Sequence, residues 1–133
     1  MGSKEATMPI QRFDPENQAA KRGWVHAIKA GSFVFIAGQG GHRPDGTIAS
    51  DFIGQANQTF ENIKSALAMA GATLDQVVKM TVFVKDEKDM DAYRAVRARH
   101  MKAPNHPTSS MIAAKALAFP ELLIAIEVWA YVG

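Results

Sequence analysis

The segment from Leu122 to Val132 predicts a β-strand that is apolar on both of its faces. All six of its even-numbered positions are apolar. Its odd-numbered positions are Leu123, Ala125, Glu127, Trp129 and Tyr131. An antiparallel sheet with one face in water normally alternates apolar and polar residues. We therefore expect helices of the same chain to cover one face of this strand and another subunit to cover the other face.

The remaining periodicity predicts one α+β domain. Strands are predicted at Ile10–Phe13, Trp24–Lys29, Phe33–Ala37, Val77–Lys85 and Thr108–Leu117, and helices at Gln55–Ala70 and about Lys88–Met101. Alternation along the fourth strand puts Val78, Met80, Val82 and Val84 on one apolar face. Together with the strand at Leu122–Val132 these segments predict a mostly antiparallel sheet of six strands. Two amphipathic helices can cover only one side of such a sheet, so we predict both helices on one face. Residues 1–8 are predicted to be a disordered or tag-like N-terminus, and residues 9–133 a single domain.

Composition excludes several kinds of function. The 133 residues include no cysteine, which rules out a disulfide scaffold, a cysteine-ligated zinc site and a cysteine nucleophile. The four histidines have no metal-ligand spacing, and we predict no metal or cofactor. Fifteen basic residues against thirteen acidic ones make a balanced surface, which argues against a nucleic-acid partner. No charge-free run approaches the ~20 apolar residues of a membrane span, so we predict a soluble cytoplasmic protein.

Four stretches carry a recognisable combination of motifs, namely Phe35–Gln39, Gln55–Gly71, Val77–Asp86 and Ile124–Glu127. Together they resemble the reactive-intermediate deaminase family, also called Rid, YjgF or L-PSP endoribonuclease, over nearly the whole chain. The resemblance implies a chorismate-mutase-like fold and a homotrimer with three clefts between neighbouring sheets. It also implies hydrolysis of reactive enamines and imines, with release of ammonia and without a metal or organic cofactor. Other members of the family act on aminomuconates, and some were named ribonucleases.

Several positions depart from the family's deaminase pattern. The resemblance implies that Ser109 stands where deaminating members carry a carboxylate-binding arginine, and Ala125 where they carry a water-positioning glutamate. A hydroxyl cannot replace the paired N–H donors of a guanidinium. Trp24 replaces the usual tyrosine, Ala37 a small hydroxyl residue and Arg94 an asparagine. We therefore expect a rebuilt site for a small anionic metabolite. Its expected substrate-binding residues are Trp24, Ala37, Gly38, Gln39, Arg94, Ser109, Ser110 and Met111, and its expected catalytic residue is Glu127.

Some of these residues keep a second interpretation. Arg94 either binds an anionic ligand from the opposite wall of the cleft or belongs to a solvated helix face with other basic residues. Glu127 either becomes a proton-transfer group through burial among apolar neighbours or is a structural carboxylate bound to a group such as Lys79. His42 and His106 flank predicted cleft loops and are either proton carriers or ordinary surface histidines.

Three functions remain open from the sequence. The first is a cofactor-independent hydrolase that acts on a small unsaturated nitrogen compound in an intersubunit cleft. The second is a non-catalytic trimer that binds or senses a small metabolite. The third is RNA binding or ribonuclease activity, which rests on the family name and on the basic stretch from Arg94 to Lys102. RNA recognition usually needs exposed aromatic residues beside a basic groove, and Tyr93 is the one aromatic residue near this stretch.

Overall fold

The computed structural model describes residues 9–15 and 22–133 of the chain. Within them lie six strands, which are β1 (Ile10–Phe13), β2 (Ala27–Ala30), β3 (Phe33–Gln39), β4 (Val77–Val84), β5 (Thr108–Ala113) and β6 (Ile124–Tyr131). The α-helices of the same part of the chain are α1 (Phe52–Met69) and α2 (Met90–His100). The predicted α+β class is confirmed. The predicted N-terminal segment, residues 1–8, lies outside the described residues.

The six described strands form one sheet in the order β1–β2–β3–β6–β4–β5. Neighbouring strands are antiparallel, except that β4 and β5 are parallel and are joined through α2. A parallel pair needs such a crossover because its strands start at the same end of the sheet. β6 is the last of these strands along the chain, yet it lies between β3 and β4. The edges of the described sheet are β1 and β5.

α1 begins three residues before the predicted start because Asp51 caps it. The carboxylate of Asp51 accepts a hydrogen bond from the backbone N–H of Gly54 at 2.9 Å, which satisfies one of the free donors of the first turn. The predicted apolar stripe is buried at Ala56, Phe60, Ile63 and Leu67. The chain turns after the helix at Gly71, whose φ of +77° is readily adopted only by glycine.

Both helices pack on one face of the sheet and form the core with it. The even-numbered residues of β6 belong to this core as predicted, and Ile124, Ile126, Val128 and Ala130 are each at most 1% exposed. We call the opposite side of the sheet the outer face. It carries the odd-numbered residues of β6, and Trp129 and Tyr131 are 44% and 48% exposed there. A single chain therefore leaves these two aromatic rings uncovered.

β4 contains a bulge that changes which valine is buried. Val77 pairs with Ala130 and Lys79 pairs with Trp129, so Val78 is an extra residue in the ladder. The extra residue shifts the alternation by one position, and Val77 is 3% exposed whereas Val78 is 42% exposed. The prediction that Val78 shares one face with Met80, Val82 and Val84 is therefore wrong.

Four strands are shorter than predicted, and the boundaries of β2 and β5 differ most. β2 begins at Ala27 and not at Trp24, and its ladder with β1 ends at the pair Phe13 and Ala27 although β3 continues to Gln39. β5 ends at Ala113 and not at Leu117, since its partner β4 has already ended. The end of β5 is thus set by the hydrogen-bonded length of its partner and not by residue preference alone.

Candidate functional site

The main cluster of predicted site residues lies at a bulge in β3. The pairing with β6 is regular on either side of it, but Ala37 and Gly38 together lie opposite the single residue Glu127. Gln39, which follows the bulge, is 8% exposed. Its Nε2 donates to the carbonyl oxygen of Ala37 at 3.0 Å and braces the bulged backbone. Four of the predicted site residues are therefore neighbours in the structure.

Trp24 is held beside this bulge by His26. The two rings are stacked, with centroids 5.6 Å apart and planes 12° apart. The carbonyl oxygen of His26 accepts a hydrogen bond from the backbone N–H of Ala37 at 2.9 Å. The guanidinium carbon of Arg22 lies 4.2 Å from the centroid of the Trp24 ring, in a cation–π contact. Trp24 is 45% exposed, so a half-exposed indole lies next to the bulge.

Glu127 lies on the outer face in a row of polar residues that crosses three strands. Thr81 of β4 pairs with Glu127 of β6 on one side and with Ser110 of β5 on the other. Lys79 belongs to the next row, where its Nζ donates to Thr81 Oγ1 at 3.0 Å and lies 5.7 Å from the Trp129 ring centroid. Glu127 itself is exposed. The burial that was expected to make it a proton-transfer group is thus not provided by its own chain.

The side chains of Ser109 and Met111 lie on the helix side of the edge strand β5, opposite to the outer face. Ser109 pairs with Met80 and Met111 with Val82, both of which point into the core. Ser110, between them, therefore points to the outer face. Two strands separate β5 from β3, which puts the β5 residues roughly 14 Å from the bulge at the usual strand spacing. One chain does not bring these two groups of predicted residues into a common pocket.

Arg94 lies on the exposed side of α2. Its Nη1 donates to Oδ1 of Asp91 at 2.8 Å, one turn earlier in the helix, and the Arg94 side chain is 54% exposed. This placement matches the solvated helix face that the sequence left open for Arg94. Within one chain, Arg94 is on the helix side of the sheet and Glu127 is on the outer face.

A histidine–glutamate pair lies beyond the bulge, at the end of the sheet. Nε2 of His42 is 2.9 Å from Oε2 of Glu121, and the His42 ring meets the ring of Phe119 edge-on with centroids 5.7 Å apart. Hydrogen bonds from its own backbone N–H and from His42 hold the pKa of Glu121 below its usual range. An ionised carboxylate only accepts hydrogen bonds, so Nε2 is the donor to Glu121, and in the neutral ring Nδ1 carries the lone pair.

Gln55 of α1 fixes the loop that carries Glu121. Its side chain is buried, with 1% of the residue exposed. Nε2 donates to the carbonyl oxygens of Ala49 and Glu121 at 2.9 and 3.0 Å, and Oε1 accepts from the backbone N–H of Leu123 at 2.8 Å. A buried amide with three hydrogen bonds to backbone groups holds two loops in one fixed relation.

Asn62, two turns further along α1, fixes the loop that carries His42. Its Nδ2 donates to the carbonyl oxygens of Gly40 and His42, both at 2.8 Å. The loop also lies directly on the helix, because a Cβ atom added to Gly41 would be 2.9 Å from the Gln55 backbone. Sequence reasoning did not assign a role to either amide. The available signal was two polar residues seven positions apart on the apolar side of one helix.

A separate cavity of about 380 Å³ lies on the helix side of the molecule and is lined by Lys64, Ala68, Ala72, Thr73, Leu74, Asp75 and His100. None of these is a predicted site residue. Across residues 9–15 and 22–133, no three His, Asp or Glu side chains are grouped so as to hold a metal ion. No helix in that part of the chain is long and apolar enough to cross a membrane.

Comparison with known proteins assigns the family. The model of the family described as Endoribonuclease L-PSP matches residues 15–132, and the chain belongs to this family. A solved structure from Yersinia pestis, described as a protein of unknown function of the conserved Rid family, is 28% identical. It superposes with a TM-score of 0.85 over 93% of this chain and 100% of that chain. The resemblance predicted from the four sequence stretches is confirmed.

Curated relatives match over part of their length. A RutC family protein of Haemophilus influenzae is 40% identical over 85 residues, which cover 63% of this chain and 65% of the relative. The 2-iminobutanoate/2-iminopropanoate deaminase of Salmonella typhimurium is 39% identical over 82 residues, which cover 60% of this chain and 64% of the relative. The matched regions thus span just under two thirds of these two relatives.

Proposed function

We propose that the chain forms a homotrimer whose intersubunit clefts bind a small anionic metabolite and hydrolyse enamine, imine or aminomuconate-like compounds to release ammonia. The name of the Salmonella typhimurium relative supports this reaction class. The proposed enzyme uses no cofactor. Its cytoplasmic location stays a prediction.

The observation that carries the proposal is the division of the predicted site into two exposed groups. Trp24 and the bulge at Ala37 and Gly38 form one group near β6, whereas Ser109 and Ser110 form the other on the edge strand β5. Each group is open to solvent in a single chain. In the proposed trimer, the β5 group of one subunit completes the bulge group of its neighbour, and the uncovered outer face supplies the contact between them.

The proposed chemistry uses the residues at the bulge. The exposed part of the Trp24 indole packs against the conjugated C=N or C=C system of the substrate. Glu127 exchanges a proton with the substrate nitrogen, which becomes a better leaving group when it is protonated. Addition of water to the imine carbon gives a carbinolamine, and cleavage of its C–N bond gives the carbonyl product and ammonia.

A non-catalytic binding trimer is the second candidate. Ser109 and Ala125 provide neither the guanidinium nor the carboxylate that the resemblance associates with deamination, and Arg94 is paired with Asp91. Binding of a metabolite without turnover is the outcome that would favour this candidate. Arg94→Ala then separates the two interpretations of Arg94, because only an arginine that reaches the cleft is needed for anion affinity.

Ammonia release is the test of the proposed function. Purified protein is offered 2-iminobutyrate, 2-aminoacrylate and 2-aminomuconate, each generated in place, and the rate is compared with the spontaneous background. We expect acceleration of at least one reaction and a loss of about 100-fold in Glu127→Gln, the size typical of a proton-transfer group. Calorimetric binding of 2-oxobutyrate without acceleration of any reaction would support the binding trimer. The absence of both turnover and binding would contradict both functions.

A further inference from the structure

Hydrolysis of a C=N bond needs a group that takes a proton from the attacking water. We propose that His42, positioned by Glu121, is this group. The inference rests on the proposed function and adds a catalytic residue to it. It begins from the hydrogen bond of 2.9 Å between Nε2 of His42 and Oε2 of Glu121.

The geometry of the pair fits a general base. Glu121 is ionised and accepts a hydrogen bond from Nε2–H, so in the neutral ring Nδ1 is the nitrogen with a free lone pair. Among the described residues none donates a hydrogen bond to Nδ1. The carboxylate also stabilises the imidazolium that forms when Nδ1 takes a proton. The His42 side chain is 34% exposed, which leaves the ring open to water and to a small substrate.

The loops that carry the pair are held more firmly than an ordinary surface ion pair requires. Asn62 binds the carbonyl oxygen of His42 itself, and Gln55 binds that of Glu121. Exposed ion pairs are usually worth little because two flexible side chains must be ordered. Here the backbone beneath both side chains is fixed by buried or half-buried amides, and the edge-on contact with Phe119 limits rotation of the imidazole. This is the support that a positioned catalytic group needs.

The His42–Glu121 pair lies at the end of the sheet where β3 ends and β6 begins. Gln39 pairs with Ile126, so the chain leaves β3 beside the first residues of β6. His42 follows Gln39 by three residues, and Glu121 precedes the start of β6 by three residues. The pair is therefore next to the N-terminal end of β6, on the side of the bulge away from the aromatic rings of the outer face.

The proposed step is the addition of water to the imine, with His42 as the proton acceptor. The water oxygen forms a bond to the imine carbon while Nδ1 of His42 takes one water proton. The π electrons of the C=N bond move to nitrogen, which takes a proton and gives a neutral carbinolamine. The C–N bond then breaks with a second proton on nitrogen, the hydroxyl proton is lost, and the products are a carbonyl compound and ammonia. No oxidant or reductant is involved.

The test compares His42→Ala with His106→Ala, a second exposed histidine on a different loop, using ammonia release from 2-iminobutyrate, 2-aminoacrylate and 2-aminomuconate. We expect His42→Ala to lower kcat about 100-fold with little change in KM. Added imidazole should restore part of the lost rate, because it can take the water proton in place of the missing ring. Glu121→Gln should lower kcat in the same direction, and His106→Ala should match the parent protein.

Each other outcome has a definite meaning. Parent-like kcat in His42→Ala would overturn the inference and leave the proposed function intact. A loss that imidazole does not restore would assign His42 a structural role and would also overturn it. If circular dichroism shows that His42→Ala is unfolded, His42→Gln carries the test, because its amide N–H can still donate to Glu121. No turnover by the parent protein with any of the three compounds would overturn the inference and the hydrolase function together.

Discussion

The imidazole of His100 closes the end of α2 as a neutral ring. It stacks on Phe60 with centroids 4.7 Å apart, and its side chain is 11% exposed. Nζ of Lys64 is 3.1 Å from Nδ1, and Oδ1 of Asn57 is 2.9 Å from Nε2. Because an ammonium only donates and an amide oxygen only accepts, Nδ1 is unprotonated and Nε2 carries the proton. Burial, and then the charge of Lys64, lowers the pKa of His100 below its usual 6.5.

A lowered histidine pKa makes the folded protein less stable in mild acid. Between the ordinary value of 6.5 and the lower folded value, the unfolded chain binds a proton that the folded chain does not, so the free energy of unfolding falls as the pH falls. The contribution of neutral His100 to the free energy of unfolding is fully present at pH values above the ordinary pKa of histidine. We expect the urea concentration at the unfolding midpoint to decrease when the pH is lowered from about 7.5 to about 5.5. We expect a smaller decrease in His100→Gln.

Denaturation of His106→Gln at the same protein concentration provides the control. His106 is exposed, and this variant should keep the pH dependence of the parent protein. A pH dependence in His100→Gln equal to that of the parent would show that another group causes it.

At the scale of the strand, the bulge in β4 predicts unequal costs for two adjacent valines. Val77→Ala removes two buried methyl groups and should lower the free energy of unfolding by about 2 kcal/mol. Val78→Ala changes a residue that the bulge turns outward, and should cost less than about 0.5 kcal/mol. Chemical denaturation of both variants at one protein concentration measures the difference. Equal costs, or a larger cost at Val78, would contradict the observed register.

Periodicity predicts which elements exist but not where their registers shift. The stripe of α1 and the even-numbered face of β6 follow directly from the spacing of apolar residues. The bulge in β4 does not, because Val77 and Val78 are equally apolar and the sequence fits either register. The end of β5 depends on where β4 stops, which is a property of the partner strand.

In the candidate site, too, alternation along one strand is predictable from the sequence, whereas contacts between distant segments are not. Ser109 and Ser110 are adjacent in a strand, so simple alternation already predicts that they face opposite sides of the sheet. Glu127 lies opposite Ala37 and Gly38 through a bulge that no local pattern reveals. His42 and Glu121 are 79 positions apart in the sequence, and only the packing of two loops on α1 brings them together.

At the scale of the whole molecule, the aromatic outer face predicts self-association. Phe33 contacts Tyr131 and Phe35 contacts Trp129, with centroids 5.2 and 5.3 Å apart. A charge placed among these rings would have to be buried on assembly, which is costly. We expect Trp129→Glu to convert the proposed trimer into single chains of 14.4 kDa, as measured by light scattering on a gel-filtration column.

Ile53→Glu is the matched control for this variant. Ile53 is 46% exposed, similar to Trp129, but it lies on α1 on the opposite side of the sheet. Ile53→Glu should leave the proposed trimer intact. A trimer in Trp129→Glu, or a monomeric parent protein, would contradict assembly through the outer face.

The central place of β6 also constrains how the protein is made. β1, β2 and β3 form one part of the sheet and β4 and β5 another, and β6 supplies the strand pairing between the two parts. A ribosome synthesises β6 after all the other described strands. The two parts cannot be joined into one sheet while residues 124–131 are still inside the exit tunnel. Before that moment, β3 and β4 each present an unpaired edge of the kind that readily pairs with other chains.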